Sequence, residues 1–202
     1  MFYKTDGPHG LPHDPLKSCI VPRPIGWISS VNRVGDYNLA PYSFFNGVCG
    51  APPMVMFATN GKQPHGGKDT ASNVEETREF VVNMVGEDLI QAMNTTCAAV
   101  PPDVSEADLA GLELEPSETV SVARVKRAPI HLECTYFQTM ELPTLSPDDR
   151  NAIIVGHVMG VHIADKYIKD GLVDIEAIRP VARMGYMDYT TVEKVYTYTR
   201  PE

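Results

Sequence analysis

Short apolar runs, each closed by turn residues, set the rhythm of the chain. The runs are "IGWISSV" (25–31), "PPMVMFAT" (52–59), "EFVVNMV" (79–85), "VSVARV" (120–125), "IHLECTYFQTMEL" (130–142) and "NAIIVGHVMGVHIAD" (151–165). All are rich in Val, Ile, Phe, Tyr and Thr, which suit a pleated, half-buried surface, so six strands are predicted. Val34-Gly35-Asp36 between two such stretches predicts a tight hairpin. Helical spacing is found in fewer places. Asp69 or Thr70 can N-cap "ASNVEETRE", whose acidic residues suit the positive end of a helix dipole. In "EDLIQAMNTTCAA" (87–99), Leu89, Ile90, Met93 and Cys97 share one face, and "SEADLAGL" (105–112) adds a short third helix. Strands without regular βαβ alternation predict a mainly-β fold, an antiparallel six-stranded barrel with peripheral helices. No repeat or linker divides residues 1–202, so one domain is expected, with residues 1–18 as an extended leader.

The stretch Asn38-Leu39-Ala40-Pro41-Tyr42-Ser43-Phe44-Phe45-Asn46 does not follow the strand rhythm. It is too polar for a core strand and too aromatic for an ordinary loop. It reads as an irregular segment in which Pro41 keeps the backbone off the regular ladder.

Composition narrows the functional classes. A chain of 202 residues that is 43% hydrophobic can bury a real core. No apolar run approaches the roughly 20 residues of a membrane-spanning helix. The start "MFYKTDGPHGLPHDPL" lacks a basic n-region and an apolar h-region, which makes a cytoplasmic location the expectation. The formal net charge is -9, and no basic run offsets it. Nucleic acid is therefore not an expected partner, because its binding leaves a basic footprint. Cys19, Cys49, Cys97 and Cys134 never form CxxC, which removes the usual zinc and thioredoxin signatures and predicts reduced, mostly buried thiols.

Candidate chemistry is sparse at first sight. His157 and His162 lie five residues apart on one predicted strand, which sends them to opposite faces, and no HExxH or HxH appears, so no metal site is expected. There is no GxSxG, and nothing couples one Ser to one His. "GKQPHGGKDT" (61–70) narrowly misses the P-loop pattern: Gly61 and Gly67 stand one position too far apart, and Asp69 separates Lys68 from Thr70. A Gly-rich turn entering a helix, with Lys68, Thr70 and Asn73 beside it, still has the chemistry of a cradle for one phosphate; the same residues also fit a solvated loop with a helix cap.

Taken in order, "RPIGWISS", "NLAPYSFFN", "PP", "KDTASN" and "EFVVNMV" resemble the flavin reductase-like family of FMN-binding split-barrel proteins, which includes flavin reductase components of two-component monooxygenases and flavoredoxin-like carriers. The resemblance runs from about Cys19 to Val85 and continues weakly through "IIVGHVMGVHIAD" and "RPVARMGYMDY". It implies a Greek-key split barrel that binds FMN. Ser29, Ser30, Asn38, Ala40, Pro41, Tyr42 and Ser43 would then face the flavin, and Lys68, Thr70 and Asn73 its phosphate or ribityl chain. Arg23 reads as a cation near the ring or as a surface ion pair, and Trp27 as a ring-stacking partner or as barrel core. The implied activity is NAD(P)H:flavin reduction, with hydride passing from nicotinamide to flavin N5, and with no catalytic side chain demanded of the protein. An FMN electron carrier that uses no NAD(P)H, and a barrel that only binds, are the alternatives. A homodimer and a monooxygenase or other electron-transfer partner are further implications. "AAVPPDVSEADLAGLELEPSE" (98–118) has no counterpart in the family pattern and could reshape the mouth of the site.

Overall fold

The computed structural model describes residues 1–61, 68–101 and 103–201. Seven antiparallel strands form the main sheet: β1 (Gly26–Val31), β2 (Tyr37–Tyr42), β3 (Phe45–Gly50), β4 (Pro53–Asn60), β5 (Glu79–Asn83), β6 (Ile130–Leu142) and β7 (Asn151–Ile163). Their order is β2-β1-β5-β6-β7-β4-β3. The two ends of this sheet are joined in sequence by Ser43-Phe44 and meet in space. Ala58 N–H donates to the Phe44 carbonyl at 2.8 Å, and the Tyr42 and Phe57 rings lie 5.1 Å apart. The sheet thus curls into a split barrel.

The strand count exceeds the expected six because β3 is glycine-containing and mostly exposed, so it carries no apolar alternation to reveal it. The segment expected to be irregular is also a strand. Pro41 pairs with Trp27 in β2, where it is tolerated because β2 ends the sheet and needs no N–H on its outer side. The hairpin between β1 and β2 turns on Gly35 at φ +99°, a conformation that side chains disfavour.

Helix α1 (Asp69–Thr77) starts one residue earlier than the capping pattern suggests: Lys68 is the N-cap and makes no side-chain cap bond. The predicted 87–99 helix breaks into a 3-10 turn, Glu87–Leu89, followed by α2 (Ile90–Thr95). Ser105 caps α3 (Glu106–Leu109) by accepting from Asp108 N–H at 3.2 Å. A short α4 (Ile175–Ile178) precedes a second, three-stranded sheet of Arg23–Pro24, Val181–Arg183 and Tyr189–Thr191.

Two core clusters divide along β1. Ile28 joins Phe57, Phe80, Ile154 and the α1 residues Ala71 and Val74, whereas Trp27 joins Leu39, Val85, Leu89 and Met93. No helix among the described residues is long and apolar enough to cross a membrane. The cysteines are unpaired as expected, but only Cys134 is buried; Cys19, Cys49 and Cys97 are exposed, at the end of a 3-10 turn (Leu16–Cys19), in edge strand β3 and just after α2.

Candidate functional site

Alternation along β1 decides which of its two serines can serve the site. Ser30 pairs with Asn38 across the β1–β2 ladder and shares its face; Ser29 points the other way. On the Ser30 face, α1 covers the strands and closes a buried polar network. Asn38 Nδ2 donates to Thr70 Oγ1 at 2.7 Å and more weakly to Ser30 Oγ at 3.5 Å, and Asn73 Nδ2 donates to Ser30 Oγ at 3.3 Å. All four residues are buried. Burial pushes the Tyr42 phenol up, opposed in part by its hydrogen bond with Thr70. Five of the predicted residues are therefore one connected unit, fixed by the start of α1.

Of that unit, Tyr42 alone reaches a cavity of about 140 Å³, which is lined also by Ala40, Pro41, Lys68, Thr96, Cys97, Ala98, Ala99 and Glu106. The 98–118 segment does reach the mouth, through Ala98, Ala99 and Glu106. Glu106 is buried and accepts Leu39 N–H at 3.0 Å, and desolvation raises its carboxyl above the ordinary range. A second cavity of about 200 Å³ adjoins the first, since Pro41 and Cys97 line both; Ser43 and Arg23 belong to it.

Arg23 is not a surface ion pair. It is buried, and its guanidinium donates to the carbonyls of Lys17 (2.6 Å), Ile20 (2.6 Å) and Met184 (2.8 Å) and to Ser43 Oγ (3.5 Å). Burial first, and then the charge of Arg183, push it down from its ordinary value. Trp27 and Ser29 sit behind the site. Trp27 is fully enclosed, with its indole N–H on Thr96 Oγ1 at 2.9 Å, and Ser29 Oγ donates to the Ala123 carbonyl at 2.8 Å. Thr96, Cys97, Glu106 and Arg183 are lining residues that the sequence patterns did not assign to the site. Of the near-P-loop stretch, residues 62–67 lie outside the described residues.

The histidines do not converge. His157 stacks on Phe137, while His162 bonds Glu133 and touches His131 edge-on. Among the described residues no group of His, Cys, Asp and Glu is arranged to hold a metal ion.

The architecture is that of a split barrel whose joined sheet ends border two adjoining polar cavities. The chain belongs to the flavin reductase-like family: the flavin reductase like domain matches residues 18–178. A protein of Halalkalibacterium halodurans without an assigned activity is 34% identical over 187 residues, 92% of this chain and 89% of its own. The crystal structure of nitrilotriacetate monooxygenase component B from Bacillus cereus superposes with a TM-score of 0.84 at 33% identity, covering 91% of this chain and 90% of its own. The 2-nitrobenzoate 2-nitroreductase of Pseudomonas fluorescens superposes with a TM-score of 0.79 at 30% identity, covering 92% and 88%.

Proposed function

We propose that the chain is an FMN-dependent oxidoreductase of the NAD(P)H:flavin reductase type. The observation that carries this reading is the connected unit of Ser30, Asn38, Tyr42, Thr70 and Asn73, which reaches the paired cavities through Tyr42. The donor set suits FMN: Lys68 supplies a cation for a phosphate, Ser43 and the backbone of Ala40 to Tyr42 supply polar contacts for a ring edge, and small Ala40, Ala98 and Ala99 leave room for it. Bound flavin supplies hydride chemistry at N5, accepting from a nicotinamide.

The side chains have a narrower task. Asn38, held by Ser30 and Thr70, fixes the strand that borders the groove, so little reorganisation accompanies binding. Lys68 and Arg23 favour negative charge in a protein that is otherwise acidic. In this reading no proton transfer is asked of a side chain, because the hydride chemistry belongs to the flavin.

Component B of the nitrilotriacetate system and the nitroreductase, both at 30% identity or above, support electron delivery either to a partner oxygenase or to a small organic acceptor. Anaerobic addition of NADH or NADPH to the purified yellow protein tests the reading. Bleaching of the flavin colour supports the reductase. Colour without bleaching favours an electron carrier, and a colourless protein that fails to take up FMN removes the flavin reading altogether.

A further inference from the structure

The cavity of about 200 Å³ beside Pro41 and Ser43 carries three cations on its lining: Lys17, Arg23 and Arg183. Arg23 and Arg183 are direct register partners across an antiparallel pair, which places two like charges opposite one another. Such an arrangement is destabilising in itself. The chain has 26 Asp and Glu against 17 Lys and Arg, yet among the described residues no carboxylate pairs with any of these three cations. Arg23 satisfies its buried guanidinium with backbone carbonyls, which accept its hydrogen bonds without cancelling its charge. Arg183 donates to the Tyr186 carbonyl at 2.5 Å and lies 4.4 Å from the centre of the Tyr189 ring.

Tyr186 is held at φ +52°, an unusual conformation for a bulky residue, with its carbonyl bonded to Arg183. Gly185 packs so closely on Ser18 that a methyl group there would lie 1.8 Å from the Ser18 hydroxyl. Those contacts hold the leader against residues 183–189, with Arg23 buried, Arg183 half-buried and Lys17 exposed at the rim.

We propose that this cavity binds the carboxylate of a small aromatic acid, which is thereby presented to the Pro41–Ser43 edge of the flavin site. Guanidinium groups present paired donors that match the two oxygens of a carboxylate. Tyr186 and Tyr189 provide flat apolar surface for a ring. The size agrees: a cavity of about 150 Å³ accommodates a benzene ring, so about 200 Å³ leaves room for one substituent. The placement beside flavin rests on the function proposed above; the carboxylate site itself does not.

Calorimetric titration of the full chain, flavin-free and FMN-loaded, tests the proposal with sodium benzoate, neutral benzamide and inorganic phosphate as probes. Benzoate should bind both forms, and benzamide should bind at least about tenfold more weakly, the value of one charge-assisted hydrogen bond. Arg183→Gln should weaken benzoate by about tenfold to a hundredfold and abolish the rise in Tm that benzoate gives the wild type. Lys17→Gln, at an exposed position that tolerates change, should give a smaller loss in the same direction. Equal binding of benzoate and benzamide, unaltered binding by both variants, or phosphate binding as tightly as benzoate would overturn it. Exclusion of benzoate by FMN would also overturn it, because the flavin would then own the cavity. A protein that takes up no FMN yet binds benzoate through Arg183 would keep the carboxylate site and refute only the flavin reading.

Discussion

Lys68 is the residue on which the proposed phosphate cradle depends most. It lines the smaller cavity with Tyr42 and Glu106 and stands at the N-cap of α1 without capping it through its side chain. Lys68→Ala should therefore leave the fold intact and lower FMN affinity by about tenfold to a hundredfold, the value of a charge-assisted hydrogen bond. Quenching of FMN fluorescence on titration reads the change, and an unaltered Kd in a folded variant refutes the assignment. Much of the site was legible at this scale, since Asn38, Tyr42, Thr70 and Asn73 stand in motifs whose polar residues do meet. Ser29 and Trp27 were harder to judge because adjacent strand residues face opposite sides, and parity is invisible until the ladder is fixed. Arg183 was illegible as a site residue, because its neighbour Arg23 lies 160 positions away in the chain and only the small sheet brings the two opposite.

Among the elements, the long strands were read most accurately. β6 spans residues 130–142 as expected and β7 runs to Ile163, since long runs of β-branched and aromatic residues favour extended strands, although the ladder between them shifts register at Val155/Gly156 and Val158/Gly160. "VSVARV" misled for a physical reason. Only Arg124–Val125 pairs as strand, although Val120 and Val122 are buried. Carboxylates replace the ladder there: Glu79 accepts from Ser121 N–H at 2.8 Å, and Glu133 from the N–H groups of Glu118 at 2.8 Å and Thr119 at 2.6 Å. Burial alone would raise the Glu133 carboxyl, but the Thr119 hydroxyl, the Glu118 N–H, His162 and the Thr119 N–H outweigh it and hold it down to about 2. A folded-state value below the unfolded one contributes stability that is complete above the unfolded carboxyl range and is lost as pH falls through about 2. That contribution amounts to about 3 kcal/mol at neutral pH. Glu133→Gln should remove most of it and flatten the acid limb of a stability profile between pH ~4.5 and ~2. Urea midpoints measured across that range check the slope; an unchanged acid limb excludes the mechanism.

For the whole molecule, closure of the barrel leaves large apolar side chains outside it. Phe137, Met140, Met159 and Val161 on β6 and β7 are all more than half exposed. Such side chains favour self-association, and a homodimer is the expected state; light scattering that gives the monomer mass at micromolar concentration would contradict it. Leader docking is equally open to test. In Gly185→Ala the new methyl would fall 2.8 Å from the Ser18 Cα as well as on its hydroxyl, so a side-chain turn cannot relieve the clash. The variant should lose about 1–3 kcal/mol and expose Lys17 to faster tryptic cleavage, followed by mass spectrometry. The separation between barrel and cavity wall has a consequence for descent. The strands that border the candidate flavin site are locked into the core through Trp27, Ile28 and Leu39, where most changes are punished. The cationic wall is drawn from Lys17 and residues 183–189, outside the seven-stranded sheet. Under the proposed function, mutation of that wall would exchange the acceptor while the flavin-binding half of the molecule is inherited unaltered.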